Sequence, residues 1–199
     1  VTGFTVDDIT VGRGSAGSLS ATDARTYTAQ ITPDGTGDIT LDLAADSVLG
    51  VGGKGNATAA RVTVTYDATA PEVAILNAPA SVNSTAPFTV TIAFTEDVNG
   101  FALDDLSVTN ATPGNFAAMD ARSYTVDITP DGGADITLDV AANLATDAAT
   151  NPNTAAPQVT VTYDTDAPSL VLQSDMGSPV SQYFVVVATF SEPVTGFDE

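Results

Sequence analysis

The chain has 199 residues, 43% of them hydrophobic, and carries 25 acidic against 5 basic residues for a net charge of -20. That balance argues against nucleic acid and anionic lipid as partners, because both are held by Lys and Arg. With no Cys and no His, disulfides, thiolate or imidazole metal sites and Cys nucleophiles are excluded as well.

The apolar content supports a packed core, and the length suits one large or two ordinary domains. Of the 25 acids 21 are Asp, a surplus suited to a medium rich in salt or calcium, where cations relieve self-repulsion. No apolar run reaches membrane-spanning length, and no direct membrane insertion is expected.

Taken in chain order, the first 67 residues carry "GF" and "DD" at 3–8, "ITPDG" at 31–35, "DITLD" at 38–42 and "VTVTYD" at 62–67. Each returns 97 residues later. Residues 1–73 align with 98–170 without a gap, and 35 of the 73 pairs are identical. A third copy starts after Pro168, where "ATFSEPVTGF" (188–197) echoes "IAFTEDVNGF" (92–101) with one residue lost in between. The period of 97 residues divides the chain into three parts. Residues 1–67 are the C-terminal part of a first unit, 68–164 a complete unit, and 165–199 the N-terminal part of a third. The stretch reads as an excerpt of a longer tandem array.

Within the complete unit the elements are short and alternating. "FTVTIAF" (88–94) places Phe88, Val90, Ile92 and Phe94 on one face and Thr89, Thr91 and Ala93 on the other, the period of a half-buried strand. Thr is a favoured outward residue because β-branching suits the pleat. Seven strands are predicted, near 72–76, 88–94, 107–110, 115–118, 122–129, 135–140 and 158–163. By the repeat, the first unit retains the third to seventh of these and the third unit the first two. "PDGG" and "NPN" mark turns. Residues 101–106 have room for one helical turn and no more. Seven short strands in a unit near 100 residues predict tandem immunoglobulin-like β-sandwiches in an all-β chain. Without a disulfide, Phe, Ile, Val and Tyr are left to fill the core.

"EDVNGFALDDLSVTN", "YTVDITPDG", "VAANLATDAATNPNTA" and "VTVTYDTDAP" resemble the bacterial immunoglobulin-like repeats of very long surface adhesins. That resemblance covers the whole chain. It implies a tandem, calcium-stiffened stalk, extracellular, on a bacterial cell surface or secreted, that carries an adhesive tip. It also implies that the neighbouring repeats of the same chain are the first partners. One departure stands out: Asp147 of "TDAATN" (146–151) is matched by Gly50 in "LGVGGK" (49–54).

Alternating strand directions bring three segments to the end of the complete unit where the chain arrives. They are the linker "YDATAP" (66–71) with Asp67, the loop after the second strand with Glu96 and Asp97, and the loop before the last strand with Asp147, Asn151 and Asn153. Hard cations take six to eight oxygen ligands. A Ca2+ ion between consecutive units is therefore expected on Asp67, Glu96 and Asp147, completed by Asn151 or Asp97. The same logic marks Asp164, Asp166 and Glu192 at the next joint, whose linker "YDTDAP" carries Asp166 where the first carries Thr69.

Other features read as structural. Asp7-Asp8 and Asp104-Asp105 cannot converge on one substrate atom, because neighbours on a strand point to opposite faces. Arg25 and Arg122 recur at equivalent places and suit a salt bridge or a carbonyl contact. The Asn-Xaa-Thr triplets at Asn56, Asn83 and Asn110 are expected by chance in a Thr-rich chain. No phosphate loop and no Ser base are found, and an enzyme is not expected. Two alternatives to a stalk segment stand beside it. One is a filament subunit in which identical chains join head to tail by strand complementation between their ends. The other is a carbohydrate- or protein-binding immunoglobulin-like module, although no exposed aromatic cluster suits sugar stacking.

Overall fold

The computed structural model describes residues 1–175, 177–179 and 181–196; Phe197, the last residue of the third echo, lies outside them. The chain is all-β and built of immunoglobulin-like sandwiches. β1 (Ile9–Gly12), β2 (Gly14–Ala21), β3 (Tyr27–Pro33), β4 (Gly37–Leu43) and β5 (Val62–Tyr66) form the first unit. β6 (Val73–Leu76), β7 (Ser81–Val82), β8 (Phe88–Phe94), β9 (Leu106–Thr109), β10 (Ala111–Ala118), β11 (Ser123–Pro130), β12 (Ile136–Val140) and β13 (Val159–Tyr163) form the second. β14 (Leu170–Ser174) and β15 (Val186–Phe190) begin the third. No helix among the described residues is long and apolar enough to cross a membrane.

In the second unit the strands form two four-stranded sheets, ordered β10-β11-β8-β6 and β7-β13-β12-β9. Alternation on each strand turns one face inward. Val90, Ile92, Val126, Ile128, Ile136, Leu138 and Val161 are fully buried between the sheets. Leu106, Leu138, Ala111 and Ala145 join the Phe, Ile, Val and Tyr expected to fill this core. At the end where the chain arrives, the ring centroids of Phe94 and Phe101 lie 5.2 Å apart, edge to face, and those of Phe101 and Tyr124 5.1 Å apart. Such aromatic pairs add to burial through their quadrupoles.

Two elements differ from the expected strands. β7 was not expected: two residues long, it pairs with β13 in parallel, Thr162 opposite Ser81 and Tyr163 opposite Val82. So short a segment has no alternation to detect. β10 begins at Ala111, four residues ahead of the expected 115, and shifts register between Gly114 and Ala117. Asn115 takes a positive φ of 47° within that irregularity, which breaks the period-two signal. Pro113 is tolerated because β10 is an edge strand, where a missing N–H need cost no ladder bond. Ser18 repeats this conformation in β2, at φ 48°.

The first unit holds the sheet β1-β4-β5 and the pair β2-β3, and the third holds only the pair β14-β15. The Asp pairs sit at single 3-10 turns, Val6–Asp8 and Leu103–Asp105. The Thr5 N–H donates to Asp8 Oδ2 and the Ala102 N–H to Asp105 Oδ2, each at 2.8 Å. The second Asp of each pair thus caps the turn that starts the following strand.

Candidate metal centre

The loop between β12 and β13 is held from within by one side chain. Asn153 is 2% exposed. Its Oδ1 accepts from the Leu144 and Ala145 N–H groups, both at 2.8 Å. Its Nδ2 donates to the Ala141 carbonyl at 2.9 Å and the Thr154 carbonyl at 2.7 Å. These bonds join the two ends of the loop. Thr146 then bridges Asn99 on one side and Pro152 on the other, which ties this loop to the one after β8. Asn153 was read as an oxygen near the joint. All of its amide bonds go to the loop backbone instead, so it positions the ligands of the candidate site.

On this frame Asp147 is turned inward and is 4% exposed. Its Oδ1 accepts from the Asn151 N–H and its Oδ2 from Asn151 Nδ2, each at 2.8 Å. Burial works against its charge, but bonds from the side chain and backbone of Asn151 and the N–H groups of Ala149 and Thr150 outweigh it and hold the carboxyl below its usual range. Asn151 Nδ2 also donates to the backbone carbonyl of Asp67 at 3.1 Å. One amide therefore links the loop to the arriving linker, 84 residues away in sequence. The linker is shaped by its own Asp: Thr69 N–H donates to Asp67 Oδ1 at 2.9 Å.

Carboxylate oxygens of Asp67, Glu96 and Asp147 lie within 4.8 Å of one another. They come from the linker, the loop after β8 and the loop before β13. Asp147 is buried and the other two are half-buried. Desolvation, then the charges of Asp67 and Asp147, push the Glu96 carboxyl above its usual value, with Arg122 opposing. Like charges gathered in partly dry surroundings call for a proton or a cation. A donor set of hard oxygens alone suits Ca2+ or Mg2+ rather than Zn2+ or copper.

The remaining expected ligands are placed as follows. Asn151 stands at the rim of the triad, as described. Asp97 is exposed and forms a salt bridge with Arg122, which is the recurrent arginine's role in this unit. Asp164, Asp166 and Glu192 line one cleft at the next joint, with Val82, Pro168 and Val194 in its walls. There Asp166 N–H donates to Asp164 Oδ1 at 3.0 Å, the same turn that Thr69 makes with Asp67. Among the described residues the group at Asp67 is the one whose three carboxylates meet.

The paired four-stranded sheets and the joint built from linker and loops define an immunoglobulin-like β-sandwich module that repeats along the chain. Residues 67–163 match the family model described as a bacterial Ig-like domain, and this part of the chain belongs to that family. The matched stretch starts at Asp67, so the linker carboxylate is part of the family unit. Domains of this family are typically non-enzymatic structural modules and typically extracellular or surface-exposed. No curated protein and no solved structure matches the chain.

Proposed function

We propose that this chain is a spacer segment of a bacterial cell-surface or secreted adhesin, stiffened at its joints by Ca2+. The observation that carries the reading is the meeting of Asp67, Glu96 and Asp147. The linker is otherwise free to pivot about the sandwich it enters. A cation held by Asp67 on one side and by Glu96 and Asp147 on the other ties the linker to both loops. Pro71 limits the pivot further, since Pro fixes its own backbone and restrains its predecessor; it is among the fully buried residues. Asp147 and Asp67 are held in place by Asn151, so part of the site is preorganised before any ion arrives.

Two measurements test this. Calorimetric titration with Ca2+ is expected to show one tight site in the complete unit, lost in Asp147→Asn. Small-angle scattering is expected to show a longer, stiffer particle with Ca2+ than with chelator. Superimposable scattering profiles together with no binding heat would refute the proposal.

A further inference from the structure

Two apolar surfaces lie open, far from the metal centre. In the first unit Val62 and Val64 are 51% and 52% exposed. Beside them runs an apolar groove of about 170 Å³ lined by Ile31, Pro33, Ile39, Leu41, Val64 and Tyr66. In the third, Leu170, Leu172 and Val186 are 46%, 63% and 50% exposed. The complete unit shows what each surface lacks. The counterparts of Ile31, Leu41 and Val64, 97 positions on, are Ile128, Leu138 and Val161, and all three are at 0% exposure. They are covered by the sheet that β6 and β8 complete, and β14 and β15 are the counterparts of β6 and β8. The edge of β3 that β8 would occupy has no strand beside it.

We infer that a second copy of the chain closes these surfaces: β14–β15 of one copy adds to β3 of the next and covers its groove. The exposed faces are the two halves of one sandwich, already seen joined between residues 67 and 163. An open edge strand beside an apolar face is a template for strand addition, and an isolated two-stranded hairpin such as β14–β15 is marginal alone. The register follows from β11 and β8, where Tyr124 faces Ile92 and Thr125 faces Thr91. With the one-residue loss between β14 and β15, the corresponding pairs are Tyr27 with Ala188 and Thr28 with Val187.

Charge selects the same partner. The loop of the first unit keeps the frame of its counterpart bond for bond. Gly50 N–H donates to the Lys54 carbonyl at 2.9 Å, as Asp147 N–H does to Asn151 at 3.1 Å. Gly53 and Thr150 share a positive φ, 73° and 70°. On that frame Gly50 stands at the place of Asp147, and Lys54, the sole lysine of the chain, stands at the place of Asn151. The joint made between two copies therefore meets Asp164, Asp166 and Glu192 of one with Lys54 of the other. A tethered ammonium takes the position that a metal ion and a fourth acid would share, and Asp166 is the added carboxylate facing it.

Sedimentation velocity of the 199-residue chain in chelator tests the association. A weight-average mass that climbs with concentration past two chains is expected, and a monomer at every concentration overturns the inference. The chain has no cysteine, so Thr28→Cys with Val187→Cys reports the register. On oxidation a ladder of disulfide-linked multimers is expected. Linkage within one chain, or equal linkage by Thr28→Cys with Val185→Cys, refutes the pairing. Lys54→Glu, an exposed loop change, is expected to return the multimer to monomer while Ca2+ binding at Asp67 is retained. Undiminished assembly by that variant refutes the role of Lys54.

Discussion

Replacing Asn153 by Ala removes four hydrogen bonds at once and strands their partners inside the fold. The Leu144 and Ala145 N–H groups and the Ala141 and Thr154 carbonyls lose the atoms that satisfy them. At about 1 kcal/mol net per bond, and more where a buried partner stays unsatisfied, the loss is roughly 4 kcal/mol. That is a large share of the 5–15 kcal/mol or so that holds a domain together. The effect reaches the metal centre because the same loop carries Asp147. Urea denaturation followed by circular dichroism is expected to show an early transition for the complete unit, and Ca2+ affinity is expected to fall with it. Asn56 is the internal control. It makes the equivalent bonds to Val48, Ala44 and Ala57, in a loop that lacks the acid. Asn56→Ala is expected to destabilise the first unit and leave Ca2+ affinity unchanged. A variant Asn153→Ala that unfolds within about 0.5 kcal/mol of the parent, the range of ordinary surface changes, would refute the reasoning.

Further outcomes follow from the same geometry. Glu96→Gln is expected to stabilise the metal-free protein by removing a carboxylate that is raised above 4.5 by burial and by Asp67 and Asp147, and to weaken Ca2+ binding by roughly tenfold or more. The sign with pH is set by that direction. The contribution of Glu96 is present below 4.5 and lost as pH rises through its raised value, whereas that of Asp147, lowered from 3.8, is present above 3.8 and lost as pH falls through its lowered value. Thermal melts in chelator are thus expected to peak on the acid side of neutrality, and Ca2+ is expected to flatten the neutral side. Arg122→Ala breaks an exposed pair with Asp97 and is expected to cost no more than about 1 kcal/mol in a melt, without changing the number of ions bound. Leu138→Ala, in the closed core, is expected to cost roughly 2–5 kcal/mol. Leu41→Ala, beside the open groove, is expected to cost less in the monomer by the same denaturation.

Much of the fold is legible because the sequence repeats its signal. Phe88, Val90, Ile92 and Phe94 alternate with polar residues, and β8 is bounded at 88 and 94 as the pattern predicts. The single turn expected within 101–106 is the 3-10 turn at Leu103–Asp105. The meeting of Asp67, Glu96 and Asp147 follows from strand direction alone, because alternation fixes which loops share an end. What the pattern could not carry is what depends on atoms rather than on periodicity. β7 is too short to alternate, and the irregularity in β10 breaks the alternation that would have placed its start. Asn153 reads like any polar loop residue. The available signal was Asn56 at the equivalent place, in a loop where every neighbour from residue 46 to 55 had changed. An Asn that persists while its surroundings vary is doing something the surroundings do not share, here bonding only to backbone.

That persistence also explains how one scaffold offers two kinds of joint. The loop backbone is set by Asn56 or Asn153 and by the residue with positive φ, Gly53 or Thr150. None of these needs the acid at position 147 or the amide at 151. The pair Asp147 and Asn151 can therefore be exchanged for Gly50 and Lys54 without disturbing the frame, because the bond between their backbones is kept. The linker behaves likewise. Asp67 and Asp164 bend it through the same contact, to Thr69 N–H in one case and Asp166 N–H in the other. The side chain at that second position is left free to vary. Three carboxylates around a divalent ion and three carboxylates around an ammonium differ by one charge in the cation, and Coulomb attraction falls in proportion. The lysine joint is accordingly the weaker and the more sensitive to salt, while it needs no ion from the medium.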